Sequence, residues 1–135
     1  MMIYSDKLQH WYEKLKRWQL YLVLALYTGL GLAPNPGQVF HDTNDLLLHF
    51  SGYVVAGISM GLAKSHWHHW QRFAFLLCYS LIIEIIQEFI PNRGFDVRDL
   101  CANGAGILFG LLIYQVIARP IDRAIYNVIA PNRII

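Results

Sequence analysis

Four apolar stretches, each bounded by helix breakers or by charge, constrain this chain more than any other feature. They run over about 18–33, 45–63, 72–90 and 99–118. Each lies near the roughly 20 residues that an α-helix needs to cross about 30 Å of hydrocarbon. Pro34, Asn35, Pro36 and Gly37 close the first, and Pro91, Asn92, Arg93 and Gly94 close the third. Composition points the same way. The chain is 56% hydrophobic and 15% charged, where a soluble domain has about 25% charged residues. The pattern predicts an all-α membrane protein, a bundle of four transmembrane helices forming one domain over residues 1–135.

The ends read as short interfacial helices. Over residues 5–18, Leu8, Trp11, Leu15 and Trp18 recur at helical spacing with lysines opposite them. That pattern fits either a helix lying in the membrane surface or a simple extension of the first span. Residues 120–130 repeat the theme with Ile121, Ile125 and Val128. The N-terminal run is expected to be retained rather than cleaved as a signal peptide, because Pro34 follows its only small-residue exit. Cys78 and Cys101 fall toward opposite ends of their helices, too far apart for the about 7 Å reach of a disulfide, and are expected to be free thiols acting as small packing groups.

Lys and Arg placement sets the expected orientation. Lys7, Lys14, Lys16 and Arg17, then Lys64 and Arg72, then Arg119, Arg123 and Arg133 fall on one side, and only Arg93 and Arg98 on the other. The positive-inside bias predicts cytoplasmic N- and C-termini, with 34–44 and 91–99 facing outward. A net charge of +2, spread along the chain, argues against nucleic acid as a partner.

With that topology, the chemically capable residues gather at the outer end. Glu84, Gln87 and Glu88 share a helix face at i, i+3 and i+4. His49 opens the second span, with Tyr53 and Gly57 following at intervals of four. Asp99, a candidate N-cap, opens the fourth, with Asn103, Gly106 and Gly110 on one stripe. Arg93, Asp96 and Arg98 occupy the loop between spans three and four, where a short turn is expected to bring Asp96 and Asp99 to Arg93. A charged residue at a helix centre costs about 2.5–3.5 kcal/mol on insertion scales, so Glu84 is expected to face inward. A purely structural network is the competing reading, because polar side chains and Gly-x-x-x-Gly also hold membrane helices together. Two carboxylates, an amide, a guanidinium and an imidazole at one end favour a ligand-facing site made of His49, Tyr53, Glu84, Gln87, Arg93, Asp96, Asp99 and Asn103.

The rest of the pattern is bland. His66, His68 and His69 stand beside Trp67 and Trp70 and read as interfacial anchors, and His41 and Asp42 lack ligand spacing. There is no zincin, nucleophile-elbow, Walker or paired-cysteine motif, so no metal, no cofactor and no catalytic residue is assigned.

The blocks LLLHFSGYVVAG at 46–57 and EIIQEFIPNRGFDVRDLCANGAGILFG at 84–110, with the four-helix layout, resemble the VanZ-like family of bacterial membrane proteins over about residues 20–118. The name-giving member is associated with teicoplanin resistance. The resemblance implies a multi-pass protein of the bacterial cytoplasmic membrane whose partners are membrane lipids and a lipid-linked or amphiphilic ligand, a cell-envelope lipid intermediate or a lipoglycopeptide. Two other readings stay open. One is an intramembrane enzyme acting on an envelope lipid, with Glu84 or His49 as base and Arg93 stabilising charge. The other is a ligand-free accessory subunit of a larger membrane complex.

Overall fold

The structure, a computed structural model, describes residues 2–34 and 44–129, with side chains from Asp6 onward. The described residues are helical, in five α-helices: α1 (Met2–Gly31), α2 (Asp45–Ala63), α3 (His69–Gln87), α4 (Val97–Ile113) and α5 (Arg119–Ile129), the last two joined through a π-helical turn at Tyr114–Ala118. The segment bearing His41 and Asp42, expected as an outer loop, lies outside the described residues, as does 130–135.

Three stretches are long and apolar enough to cross a membrane: Asp45–Ala63, His69–Gln87 and Val97–Ile129. The expected first span is the second half of α1. That apolar part begins only at Trp18, and every window long enough to cross reaches back to Lys14, Lys16 and Arg17. Residues 5–18 belong to the same unbroken helix as the apolar half.

Helix ends also shift from the expected bounds, for local reasons. The α3 helix starts earlier than residue 72 because His68 and Gln71 cap each other, with the His68 N–H donating to Gln71 Oε1 at 2.9 Å. The α4 helix starts at Val97 because Asp96, not Asp99, is its N-cap and accepts from the Arg98 N–H at 2.8 Å. Asn92 turns the chain between α3 and α4 with φ of 64°, a left-handed conformation that Asn tolerates better than most residues. Pro120 has no N–H to give the helix. The chain passes into it through the π turn, where the Arg119 N–H bonds back to the Tyr114 carbonyl.

The centre of the bundle is the α2–α4 pair. A Cβ at Gly106 would collide with the Phe50 carbonyl, and one at Gly110 with the Val54 carbonyl, so both glycines let the backbones touch. Such small-residue contacts replace the hydrophobic driving force that is missing between helices in lipid. Gly61 makes room for the Tyr114 ring, which is 1% exposed. Leu20, Tyr53, Ala56, Met60, Leu76, Ile107 and Leu111 fill the remaining core. Large apolar side chains such as Leu47, Val55, Ile82, Leu108 and Val116 point outward. Cys78 and Cys101 are free, as expected, but both are exposed and do not pack inside.

Away from the α2–α4 seam, the two chain ends lock together. Lys16 on α1 meets Asp122 on α5 at 3.2 Å and Glu13 at 2.9 Å, and the Tyr12 hydroxyl donates to Asp122 at 2.8 Å. With Asp122 turned inward, Ile121, Ile125 and Val128 stay exposed on the other side of α5.

Candidate functional site

The first turns of α2, the last turns of α1 and α3 and the first turns of α4 enclose a cavity of about 230 Å³. Its walls include His49, Tyr53, Glu84, Gln87, Arg93 and Asn103. Six of the eight residues expected from sequence are thus brought to one cavity by three helices and a loop.

Each arrives through ordinary helical geometry. His49 and Tyr53 lie one turn apart on α2, and Glu84 and Gln87 lie three apart on α3, so each pair shares a face. Asn103 reaches the same space because Gly106 below it lets α4 press against α2. The α1 helix contributes Tyr27, whose hydroxyl donates to the Gly52 carbonyl at 2.5 Å and whose ring lies 6.0 Å from that of Tyr53.

A chain of polar contacts crosses the site. Asn103 Nδ2 donates to Ser80 Oγ at 2.7 Å, which leaves the Asn103 Oδ1 atom 3.0 Å from His49 Nδ1. On the other side of the ring, His49 Nε2 stands 3.6 Å from Asp99 Oδ2 and 3.9 Å from Asp45 Oδ1. Glu84 is fully buried. Its Oε2 accepts from the Asp96 N–H at 3.5 Å, while its Oε1 has no hydrogen-bond partner among the described residues and lies 4.0 Å from His49 Nδ1. A buried carboxylate oxygen with nothing to accept from costs about 1–3 kcal/mol or more. That imbalance is the most unusual feature of the site.

Arg93 departs from expectation. Its Nε donates to the Ala33 carbonyl and its Nη2 to the Leu30 carbonyl, both at 3.2 Å, and Gln87 Nε2 donates to the Gly31 carbonyl at 2.8 Å. The two side chains together satisfy the end of α1, whose last carbonyls have no partner within the helix. Asp96 and Asp99 do not converge on Arg93. The reason is the earlier start of α4: as N-cap, Asp96 points along the helix end and takes Arg98 at 2.8 Å, and Asp99, in the first turn, faces His49. The Arg98 hydrogen bonds hold the Asp96 carboxyl below its usual range. Glu88 also leaves the cluster. It accepts from the Phe95 N–H at 2.8 Å and braces the turn.

Two participants were not assigned from sequence. Ser80 anchors Asn103 from the fully buried face of α3, and a lone apolar-flanked serine carries no signal of that role. Asp45, in the first turn of α2, sits at i−4 to His49 with a carboxylate oxygen 3.9 Å from its Nε2. That spacing was visible, but its meaning depends on Asp99 arriving from another helix.

Comparison with curated proteins and with solved structures finds no match. A family model described as VanZ/LLP1 matches residues 38–118, which span α2 to the end of the π turn and hold every residue of the cavity wall outside α1. With more than half of its length matched, the chain belongs to the VanZ/LLP1 family.

Proposed function

We propose that this protein lies in a bacterial cytoplasmic membrane with both termini inside, four helices across the bilayer and the cavity opening to the outer leaflet, where it binds the polar head of an amphiphile. The fourth crossing is the apolar half of α1, short by itself and completed by the start of its amphipathic half. Glu84 carries the reading. A fully buried carboxylate oxygen without a partner, on the wall of a cavity, is complementary to a ligand's ammonium or hydroxyl donor.

The cavity is below the roughly 300–1,000 Å³ of a drug-sized pocket. A volume of about 230 Å³ fits a sugar ring or an amino head group and leaves the apolar part of the molecule in the membrane. Arg93 Nη1 is free of partners among the described residues and offers an N–H to phosphate or carboxylate beside it. Family membership supports an envelope lipid intermediate or a lipoglycopeptide as the class of ligand, and protection against teicoplanin-type antibiotics as the physiological role.

The test is native mass spectrometry of the full chain extracted in mild detergent. Wild type is expected to retain a lipid-class adduct that Glu84→Gln loses, with both proteins equally folded by circular dichroism. An identical adduct pattern, or none in wild type, removes the binding reading and leaves an accessory subunit. The enzyme reading is weaker, since Ser80 is fully buried and among the described residues no hydroxyl is hydrogen-bonded to His49.

A further inference from the structure

The two faces of the His49 ring make unequal demands. Asn103 spends its amide N–H on Ser80, so its oxygen is what faces His49 Nδ1, and that nitrogen must be the donor. In the neutral ring the lone pair is then on Nε2. Nε2 faces Asp99 Oδ2 at 3.6 Å and Asp45 Oδ1 at 3.9 Å, three acceptors with nothing positive between them. The ligand atoms of these three residues all lie within 4.8 Å of one another. Ligand atoms around a transition metal at about 2.0–2.2 Å in tetrahedral geometry are roughly 3.4 Å apart, so small side-chain rotations close the set.

Two further observations support a cation here. Metal-bound histidines almost always donate their other ring N–H to a fixed acceptor, and Asn103, itself held by Ser80, supplies one. In addition, the Glu84 Oε1 atom, fully buried and unpartnered, lies 4.0 Å from Nδ1, the nitrogen across the ring from Nε2, and adds negative charge beside the imidazole. Negative charge therefore approaches the ring from α2, α3 and α4, while Arg93 is turned to α1 and Arg98 to Asp96.

We propose that Asp45, His49 and Asp99 bind a divalent transition-metal ion, zinc or a close analogue, at the rim of the cavity. One imidazole and two carboxylates suit zinc, manganese or ferrous iron, and three protein ligands leave coordination positions open toward the cavity. The site was not legible in sequence because its third ligand comes from a different helix. It stands independently of the lipid reading, since metal binding needs no lipid.

The experiment uses the full chain in detergent, stripped with EDTA and titrated with Co²⁺ and Zn²⁺, read by cobalt visible absorption, by metal content after desalting and by thermal shift. Wild type is expected to take up one equivalent with a rise in Tm. His49→Ala and Asp99→Asn should each lower the affinity for that equivalent at least 100-fold, whereas His66→Ala/His69→Ala, on the far side of the protein, should keep it. Asp45→Asn, at an exposed position, serves as the variant least able to disturb the fold and should weaken binding at least 10-fold. No metal on wild type, or unchanged uptake in His49→Ala, Asp99→Asn and Asp45→Asn, overturns the proposal. So does a wild type whose Tm rises only on acidification, with and without metal alike, which identifies a protonated histidine as the cation.

Discussion

Glu84 and Asp96 illustrate two ways in which a carboxylate is used. Glu84 is sealed in the bundle with one oxygen unsatisfied. Glu84→Gln keeps the shape, replaces the charge with an amide and is expected to preserve membrane levels while abolishing adduct retention. Glu84→Leu also strips the Asp96 N–H of its acceptor, at about 1–3 kcal/mol, and should lower the unfolding midpoint in detergent relative to Glu84→Gln. Full activity and stability in both would mean the carboxylate faces nothing of consequence. Asp96 instead sits half-buried at a helix start, with its carboxyl held below its usual range by Arg98. A carboxyl depressed in the fold stabilises it above its unfolded pKa of about 3.9 and loses that effect as pH falls through the lower folded value. The Tm difference between wild type and Asp96→Asn should therefore be present at pH 6 and shrink as pH falls below about 3.9. Arg93→Lys tests its fork. One ammonium reaches the Leu30 and Ala33 carbonyls less well than a planar guanidinium, so the lysine variant should fray the end of α1 in hydrogen exchange and lose adduct retention.

At the scale of elements, the α2–α4 seam and the joined chain ends decide whether the site forms. Gly106→Ala and Gly110→Ala would each drive a methyl into a backbone carbonyl, which a flexible side chain could evade but a helix backbone cannot. Overpacking of this kind costs about 1–3 kcal/mol. Because Asn103 lies one turn from Gly106, Gly106→Ala should also displace it from His49, which cobalt absorption would register as a weakened band. A Gly106→Ala protein with wild-type stability would show that the seam tolerates a wider spacing. At the opposite end, Lys16→Met leaves Asp122 without its cation. The pair is buried, with side-chain exposures of 8% and 11%, so the loss should approach the about 3–5 kcal/mol of a broken buried pair. The double variant Lys16→Met/Asp122→Leu should recover much of it, as a thermal melt of the three variants would show.

For the whole molecule, orientation is the governing quantity. The basic bias in the sequence leads to the expectation that reporter fusions at positions 40 and 95 read as outside, while those at 67 and at the C-terminus read as inside. A cytoplasmic reading at 95 would place the cavity on the inner leaflet and remove any access to an extracellular amphiphile. The all-helical fold and the gathering of polar residues at one end were legible from apolar run lengths and breakers, because in a bilayer the backbone must satisfy itself and few alternatives to the helix exist. Six of the eight residues expected at the site line the cavity, since intervals of three and four place side chains on one helix face without reference to any other helix. What the linear pattern could not supply was the pairing between faces. Arg93 found the end of α1 rather than Asp96 and Asp99, and Asp96 rather than Asp99 capped α4. Asp45 and Asp99 came to one imidazole, and Glu84 kept an unpartnered oxygen. Periodicity sets which way a side chain points along its own helix. Which partner it meets depends on how closely neighbouring helices approach and where each begins and ends, and those distances come from the glycine contacts and caps of the packed bundle.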